Sequence, residues 1–334
     1  MNILFCGDPH LKISNLSAAK QFLNWLSSVV EETQPDIFIN LGDTFDTHSV
    51  VRAELLNEFK KHILEITKHC QYFYILGNHD MHKPNDSTYH ALQAFSGQYD
   101  RFTVIDSISH IENLGLSMVP YLPDHTLFPK KTLPICVAHQ TFIGCDFGGY
   151  KPESGVNADE IEAEIIISGH IHNKQSFGKV VYPGSPYAQS MKDIDQVKGL
   201  LLFNTKTYKQ LVIETPMPNW RGLEVSLKDQ IDPIAFIKGC INQTDNWVIT
   251  LIGPRKEIAG LLESREWKNI SNDNNISTRT KYIDSDRINK IKIKSNTISG
   301  ILDEYIDKIY SGNLDKDTIK IVAKQLFEST NKSI

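Results

Sequence analysis

Three short, mostly apolar runs in the first eighty residues each end in a polar cluster. Ile3-Leu4-Phe5-Cys6 runs into Gly7-Asp8-Pro9-His10, Asp36-Ile37-Phe38-Ile39-Asn40-Leu41 into Gly42-Asp43-Thr44-Phe45-Asp46, and Tyr72-Phe73-Tyr74-Ile75-Leu76 into Gly77-Asn78-His79-Asp80. Apolar runs of this length bounded by glycine read as buried strands. Between them, Phe22, Leu23, Leu26, Val29 and Val30, then Leu55, Leu56, Phe59, Ile63 and Ile66, recur at helical spacing and predict two amphipathic helices. Strand–helix–strand–helix–strand predicts a parallel α/β unit, in which ligands bind at the C-terminal ends of the strands.

From about Thr103 to Glu214 the pattern shortens to strands and turns: Ser117–Val119, Ile135–Ala138, Ile165–Ile167, Lys179–Tyr182, Leu200–Phe203 and Gln210–Ile213. Helices first and paired strands later predict two sheets packed together with helices outside, an α/β/β/α sandwich. Pro216 and Pro218 mark a boundary. Residues 216–290 read as a small α+β domain, with strands at Gly222–Leu227 and Trp247–Ile252 and helices at Pro233–Ile241 and Lys256–Trp267. The Asn- and Ser-rich stretch Asn269–Thr280 reads as a loop. Residues 291–334 carry two amphipathic helical patterns, Ile298–Tyr310 and Asp317–Ser329, joined by Ser311-Gly312-Asn313. Ile298, Ile301, Leu302, Tyr305, Ile306 and Ile309 mark the first apolar stripe, and Ile319, Val322, Ala323, Leu326 and Phe327 the second. The domains are thus expected at 1–215, 216–290 and 291–334.

Composition narrows the class. The chain has 334 residues, 40% hydrophobic and 22% charged, as ordinary globular proteins do. No apolar run approaches the ~20 residues that span a bilayer, and Met1–Cys6 lacks the basic start of a signal peptide. Five cysteines without CxxC spacing argue against a disulfide framework or a thiolate zinc site, and for a reducing cytoplasm. The net charge of −5 gives no global nucleic-acid signal. Residues 1–215 hold 17 Lys and Arg against 24 Asp and Glu, while residues 216–334 hold 18 against 16. An acidic first part suits a carboxylate-rich site that bound cations neutralise.

The candidate chemistry lies at the strand ends. Ile165-Ile166-Ile167-Ser168-Gly169-His170-Ile171-His172 is a buried strand that presents two histidines at i and i+2, on one side of extended backbone. Gly169 leaves room for a bend and for a ligand to approach. Asp8 and His10 leave the first strand with the same spacing. His139 ends the run from Ile135. Asp8, His10, Asp43, Asn78, His139, His170 and His172 thus form a set of oxygen and imidazole ligands, with His79 as an extra imidazole. Such donors without thiolate favour Mn²⁺, Fe²⁺ or Zn²⁺ over a structural zinc. Seven ligands are too many for one ion and suit two, with Asp43 able to bridge. Two metals about 3.5–4 Å apart can generate hydroxide and stabilise the attacking and leaving oxygens of phosphoester hydrolysis.

The pattern DxH…GDxxD…GNHD…H…GHxH resembles that of the calcineurin-like metallophosphoesterases, across residues 1 to about 190. Within it, Gly42–Thr47 is similar to the bacterial GDxFDT form of SbcD-type nuclease subunits of DNA repair and recombination complexes, phage-encoded ones especially. Tyr182-Pro183-Gly184-Ser185-Pro186 resembles that family's Y-x-G-S/T-P stretch. The resemblance implies a four-layer α/β/β/α sandwich, a small α+β capping domain that shapes DNA access, and a C-terminal helical hairpin. It implies that Asp8, His10, Asp43 and His172 hold one metal, and Asp43, Asn78, His139 and His170 the other. His79 would stand beside the scissile phosphate, and Asp80 would orient His79. The implied partners are DNA, a second copy of the chain and an SbcC-type ABC ATPase whose coiled coil the C-terminal helices grip. This chain has no GxxxxGK[ST] loop of its own. Two departures stand out: Pro9, where many relatives carry tryptophan or threonine, and Asp46, where some carry histidine. His48 and His82, and Lys12, Arg52, Lys83, Lys174 and Lys192, lie near motif loops as candidate substrate contacts.

The expected protein is therefore a Mn²⁺-dependent nuclease subunit, with Mg²⁺, Fe²⁺ or Zn²⁺ as alternatives. It would act as a double-strand exonuclease and a single-strand or hairpin endonuclease in the cytoplasm, that of a bacterial host if phage-encoded. The rivals are a calcineurin-like phosphatase or phosphodiesterase on non-DNA substrates, and a non-catalytic scaffold that keeps the fold.

Overall fold

The apolar runs of the first eighty residues lie side by side as parallel strands, Asn2–Cys6, Ile37–Asn40 and Gln71–Ile75, continued by Phe102–Ile105. The structure, a computed structural model, describes residues 1–48, 50–83, 86–273, 275–283, 298–308 and 315–331. Gly199–Asn204 joins the free edge of Asn2–Cys6 antiparallel, and Gln210–Glu214 follows it, completing a six-stranded sheet. A second six-stranded sheet runs in the order Gln175–Phe177, Val180–Tyr182, Ile165–Gly169, Ile135–His139, Leu116–Val119, Ser109–Ile111; its four central strands are parallel.

The period-two alternation of each strand decides what it faces. Ile3, Phe5, Ile37, Ile39, Phe73 and Ile75 of the first sheet share one core with Leu116, Met118, Ile135, Val137, Ile165 and Ile167 of the second. Removal of this apolar surface from water is the main force joining the sheets. Helices α1 (Leu16–Thr33) and α2 (Ala53–His69) bury the stripes read from the sequence. Phe59 of α2 packs edge-on to Tyr74 of the first sheet. The Asn15 side chain caps α1 by accepting from the Ala18 N–H, and Gln34 closes it at φ +44°, donating its N–H to the Val30 carbonyl. The outer face of the second sheet is covered otherwise. Cys136, Ala138, Ile166, Val180 and Tyr182 pack there against Phe128, Phe142, Val156 and Ile161 from loops and 3₁₀ turns. This is an α/β sandwich of two packed sheets.

His62 sits within α2, 3% exposed, its ring against Phe38 and Tyr72 and its Nδ1 3.4 Å from Ser27 Oγ. Burial pushes its pKa down to about 3. Below the free value of 6.5, the unfolded chain takes up a proton that the native chain refuses until about pH 3. Stability is therefore expected to fall with pH across that window, by up to about 1.4 kcal/mol per pH unit from this group. His62→Leu should remove that share of the slope, read as urea midpoints between pH 4 and 6.5; an unchanged slope would contradict it.

A third, three-stranded sheet is parallel throughout: Trp220–Ser226, Asn246–Gly253, Ile276–Tyr282. Helices α3 (Pro233–Cys240), α4 (Arg255–Glu263) and α5 (Arg265–Asp273) connect it, around a core of Val225, Ile237, Ile249, Leu251, Ile258 and Trp267. Two expectations are corrected here. The helix expected over Lys256–Trp267 is two helices, broken at Ser264, whose Oγ accepts the Trp267 N–H and starts α5. The loop expected over Asn269–Thr280 is largely the end of α5 and the edge strand Ile276–Tyr282.

The chain divides into two compact units. The first comprises Met1–Pro186, Gly199–Thr215 and the C-terminal helices; the second comprises Tyr187–Lys198 and the segment beginning at Pro216. In the second, the buried Asp193 carboxylate accepts from the N–H groups of Gln189 and Ser190 and pairs with buried Lys198. The tail forms α6 (Ile298–Lys308) and α7 (Lys316–Asn331), tied by Lys324–Asp303 at 3.2 Å and by Lys320–Asp307. Ile306 is buried, while Tyr305, Ile321 and Val322 are exposed. The expected boundary at 290/291, the Ser311–Asn313 link and the stripe positions Ile298, Ile309, Leu326 and Phe327 fall outside the residues or side chains described. Among the described residues no helix is long and apolar enough to cross a membrane.

Candidate metal centre

The parallel strands of both sheets deliver their polar ends to one place. His139 ends Ile135–His139 and pairs in register with Gly169, so the glycine-histidine stretch lies beside it. Gly169 has no room for a side chain. A Cβ there would stand 2.6 Å from the Leu41 carbonyl oxygen and 2.9 Å from His139 Nδ1, so backbone from the facing sheet, rather than a ligand, makes the close approach. Asp8, His10, Asp43 and His170 have φ of +32°, +43°, +53° and +84°. Non-glycine residues there are strained, by about 1–3 kcal/mol each, and persist only where the surroundings fix them.

Those surroundings are visible bond by bond. Asp8 Oδ1 accepts the His170 N–H at 2.8 Å, and the His10 N–H donates to the Asp43 carbonyl at 3.0 Å. Asp43 Oδ1 accepts the His79 N–H at 2.7 Å. Its Oδ2 lies 3.3 Å from His139 Nε2 and 3.7 Å from His10 Nε2. His139 Nδ1 lies 2.6 Å from the Leu41 carbonyl and donates to it, leaving Nε2 toward Asp43 and Asn78 Oδ1. Asn78 Oδ1 also faces His170 Nδ1 at 2.9 Å. His10 and His172 meet Nε2 to Nε2 at 3.0 Å. The Tyr182–Pro186 turn supports this side: the Ser185 N–H donates to the His172 carbonyl, and Gly184 lies against Gly7, next to Asp8.

Three groups result in which one ligand atom per residue lies within 4.8 Å of the others: Asp8, His10, His172; His10, Asp43, His79; and Asp43, His139, His170. They overlap at His10 and Asp43. Burial pushes the Asp8 carboxyl up to about 7, with His139 opposing and Asp43 reinforcing the rise. Burial likewise raises Asp80 to about 7, helped by Asp43. For Asp43 burial is outweighed by the neighbouring His139, which holds it well below the usual carboxylate range. The same pairing lifts His139 to about 9 against its own burial. Burial keeps His170 neutral, at about 3, and puts His10 far below the usual histidine value. The donors fit divalent cations. Buried carboxylates cluster around imidazoles, of which His10 and His170 are neutral with lone pairs to give, and buried His10 Nδ1 has no hydrogen-bond partner among the described residues.

Asp80 departs from its expected role. Its Oδ2 accepts the N–H groups of Gly77 and Asp43, both at 2.9 Å, and its Oδ1 accepts the Tyr74 hydroxyl at 2.9 Å. The His79 ring is held instead by the Asp46 carbonyl, 3.1 Å from Nδ1, because Asp80 points back under the loop. Asp80→Ala would leave two buried N–H groups unpaired beside Asp43 and take away the acceptor of the Tyr74 hydroxyl, which would keep only the Thr44 N–H. It should lower Mn²⁺ affinity by about 10- to 100-fold, as loss of a ligand's supporting partner does, measured by calorimetric titration; unchanged affinity would contradict the role.

Sequence reasoning missed the aromatic wall at His170, where Tyr121 lies 5.6 Å and Phe147 5.9 Å from the ring, centroid to centroid. Both come from loops with no periodicity to flag them. Lys12 pairs with Asp46 at 3.3 Å and Arg52 with Glu54 at 2.8 Å, so neither is an isolated cation.

A sandwich of two sheets that gathers carboxylate, amide and imidazole at its strand ends defines a metal-dependent phosphoester hydrolase. The chain belongs to the calcineurin-like phosphoesterase family, whose model matches residues 1–174. It is 32% identical over 249 residues to "Putative phosphoesterase 244L" of Invertebrate iridescent virus 6, covering 68% of this chain and 86% of that one. The counterpart 078R of Invertebrate iridescent virus 3, named in the same way, is 25% identical over 290 residues, 81% of each chain. "Exonuclease subunit 1" of Enterobacteria phage T4 is 22% identical over 352 residues, 98% of each chain.

Proposed function

We propose that this chain is the nuclease subunit of an SbcCD-like complex, a Mn²⁺-dependent enzyme that hydrolyses DNA phosphodiesters in recombination, repair or replication. The observation that carries this reading is the likeness to the phage exonuclease subunit along 98% of both chains, well past the residues 1–174 that the family model matches. A small-substrate phosphatase has no evident use for the three-stranded α/β unit and the paired helices that follow.

In this reading Asp8, His10, Asp43 and His172 hold one divalent cation and Asp43, Asn78, His139 and His170 a second. The pair, when bound, supplies an activated water and charge stabilisation at the attacking and leaving oxygens. His79 donates its Nδ1 hydrogen to the Asp46 carbonyl, so Nε2 is the atom that can exchange a proton with the substrate. Helices α6 and α7 offer exposed Tyr305, Ile321 and Val322 to a helical groove, which suits the coiled coil of a separate ABC ATPase. A second reading, a phosphodiesterase on non-DNA substrates, draws on the two viral relatives named as phosphoesterases.

Nucleotide release from end-labelled linear duplex DNA separates the readings, run with Mn²⁺, Mg²⁺ or chelator beside His79→Ala. The expected result is Mn²⁺-dependent cleavage that falls by about 10²-fold in the variant, the usual loss for a proton-transfer group, with metal retained. Hydrolysis of a small phosphodiester with no DNA cleavage, even with the ATPase present, would favour the second reading. Neither activity would point to a scaffold.

A further inference from the structure

The two loops that carry Asp43 and Asn78 are tied together by a pair of histidines, and only His79 of the pair belongs to the metallophosphoesterase motifs. His79 lies on the loop after the strand Gln71–Ile75, and its Nδ1 is 3.1 Å from the carbonyl of Asp46 on the other loop. His48 lies two residues beyond Asp46, and its Nδ1 is 3.0 Å from the carbonyl of Asn78. A carbonyl only accepts, so both Nδ1 atoms carry hydrogen, and each ring is pinned by the loop opposite. The rings lie face to face, with centroids 4.3 Å apart and planes 21° from parallel. His10 stands edge-on to His79, with centroids 4.6 Å apart and planes at 89°. The His79 ring is thus held by a carbonyl, by the edge contact with His10 and by the stacked His48, which is in none of the three groups of metal donors.

We propose that His48 is a positioning residue for phosphodiester hydrolysis, fixing the plane of His79 so that its Nε2 meets the scissile phosphate in one orientation. The inference rests on the reading of His79 given above. His48 acts on chemistry rather than on metal loading: its contacts are to a backbone carbonyl and a ring, whereas the Asn78 side chain that faces the metal donors is engaged by His139 and His170. Misplacement of a reacting group by about 1 Å costs on the order of 10²-fold in rate, which sets the scale of the effect.

The test compares wild type, His48→Ala, His48→Phe, His79→Ala and the double variant His48→Ala/His79→Ala. The substrates are bis(p-nitrophenyl) phosphate and end-labelled duplex, with Mn²⁺ stoichiometry and melting temperature measured alongside. His48→Ala should lower kcat by about 10- to 100-fold, leaving KM within about twofold and Mn²⁺ content unchanged. His48→Phe, which keeps a ring to stack, should recover part of kcat, and it carries the comparison if the alanine variant does not fold. The double variant should be no slower than His79→Ala alone, because His48 acts through His79. A wild-type kcat in His48→Ala, losses that multiply in the double variant, or lost Mn²⁺ would overturn the inference while leaving the nuclease reading intact. A wild type inactive on both substrates would overturn that reading, and the inference with it.

Discussion

Asp43→Ala is expected to lower phosphoester hydrolysis by about 10³-fold or more, since loss of several kcal/mol of charge stabilisation at the metals translates at about 1.4 kcal/mol per tenfold. Asp43 belongs to two of the three groups of donors, and its Oδ2 lies 3.7 Å from His10 Nε2 and 3.3 Å from His139 Nε2. No other side chain replaces that geometry. The neighbouring Asp8 Oδ1 is engaged with the His170 N–H, and both Asp80 oxygens with the Gly77 and Asp43 N–H groups and the Tyr74 hydroxyl. Asp43 also holds His139 in its charged form in the free protein, so the variant should lose both a ligand and the charge that balances its neighbour. The fold should survive, because the inter-sheet core contains none of these groups. Far-UV circular dichroism like wild type, with activity and Mn²⁺ binding both lost, is the expected result. A folded variant that kept more than about a tenth of the wild-type rate would place the shared ligand elsewhere.

Gly77→Ala is the second large effect, and it removes no functional atom. A Cβ at Gly77 would run into the Asp43 carboxylate and, at 2.6 Å, the Asp43 backbone nitrogen. Both belong to a residue already held at φ +53°, whose N–H is bound to Asp80. Overpacking of this kind typically costs about 1–3 kcal/mol, and no flexible side-chain end is there to give way. The variant should therefore melt several degrees lower and bind Mn²⁺ at least about 10-fold more weakly, as when the support of a metal ligand is lost. Calorimetry of unfolding and of Mn²⁺ titration reads both. Wild-type values for both would mean that the two loops are not packed as described.

The contrast between these two residues shows what the sequence made legible. Asp43 announced itself as a ligand type at a strand end, whereas Gly77 could be read only as a strand stop; its need for close approach lies in residues 34 positions away. The apolar runs from Ile3, Ile37 and Ile135, with helices first and paired strands later, sufficed to predict two packed sheets, whereas which side chains of each run face the shared core was settled only by the folded strands. The edge strand Ile276–Tyr282 was hidden because Ser277, Thr278, Arg279, Thr280 and Lys281 carry no apolar alternation, as a one-sided edge needs none. The break between α4 and α5 did leave a mark, Ser264 before an acidic first turn, which reads as an N-cap. At the site, ligand types and spacing were visible, but which group supports which was not. Asp80 follows His79 directly in the chain, yet bonds to Tyr74, Gly77 and Asp43. His48 holds the Asn78 carbonyl across 30 residues. Such cross-loop bonds are set by the folded loops and have no periodic signature.

The proposed centre, in which two cations share Asp43, is tested most directly by counting them. Equilibrium dialysis of the purified chain against Mn²⁺, with low-temperature electron paramagnetic resonance of the loaded protein, is expected to give two ions per chain and a spin-coupled spectrum, with the coupling lost in Asp43→Ala. One ion per chain with the six-line spectrum of an isolated Mn²⁺, or no specific binding, would contradict it.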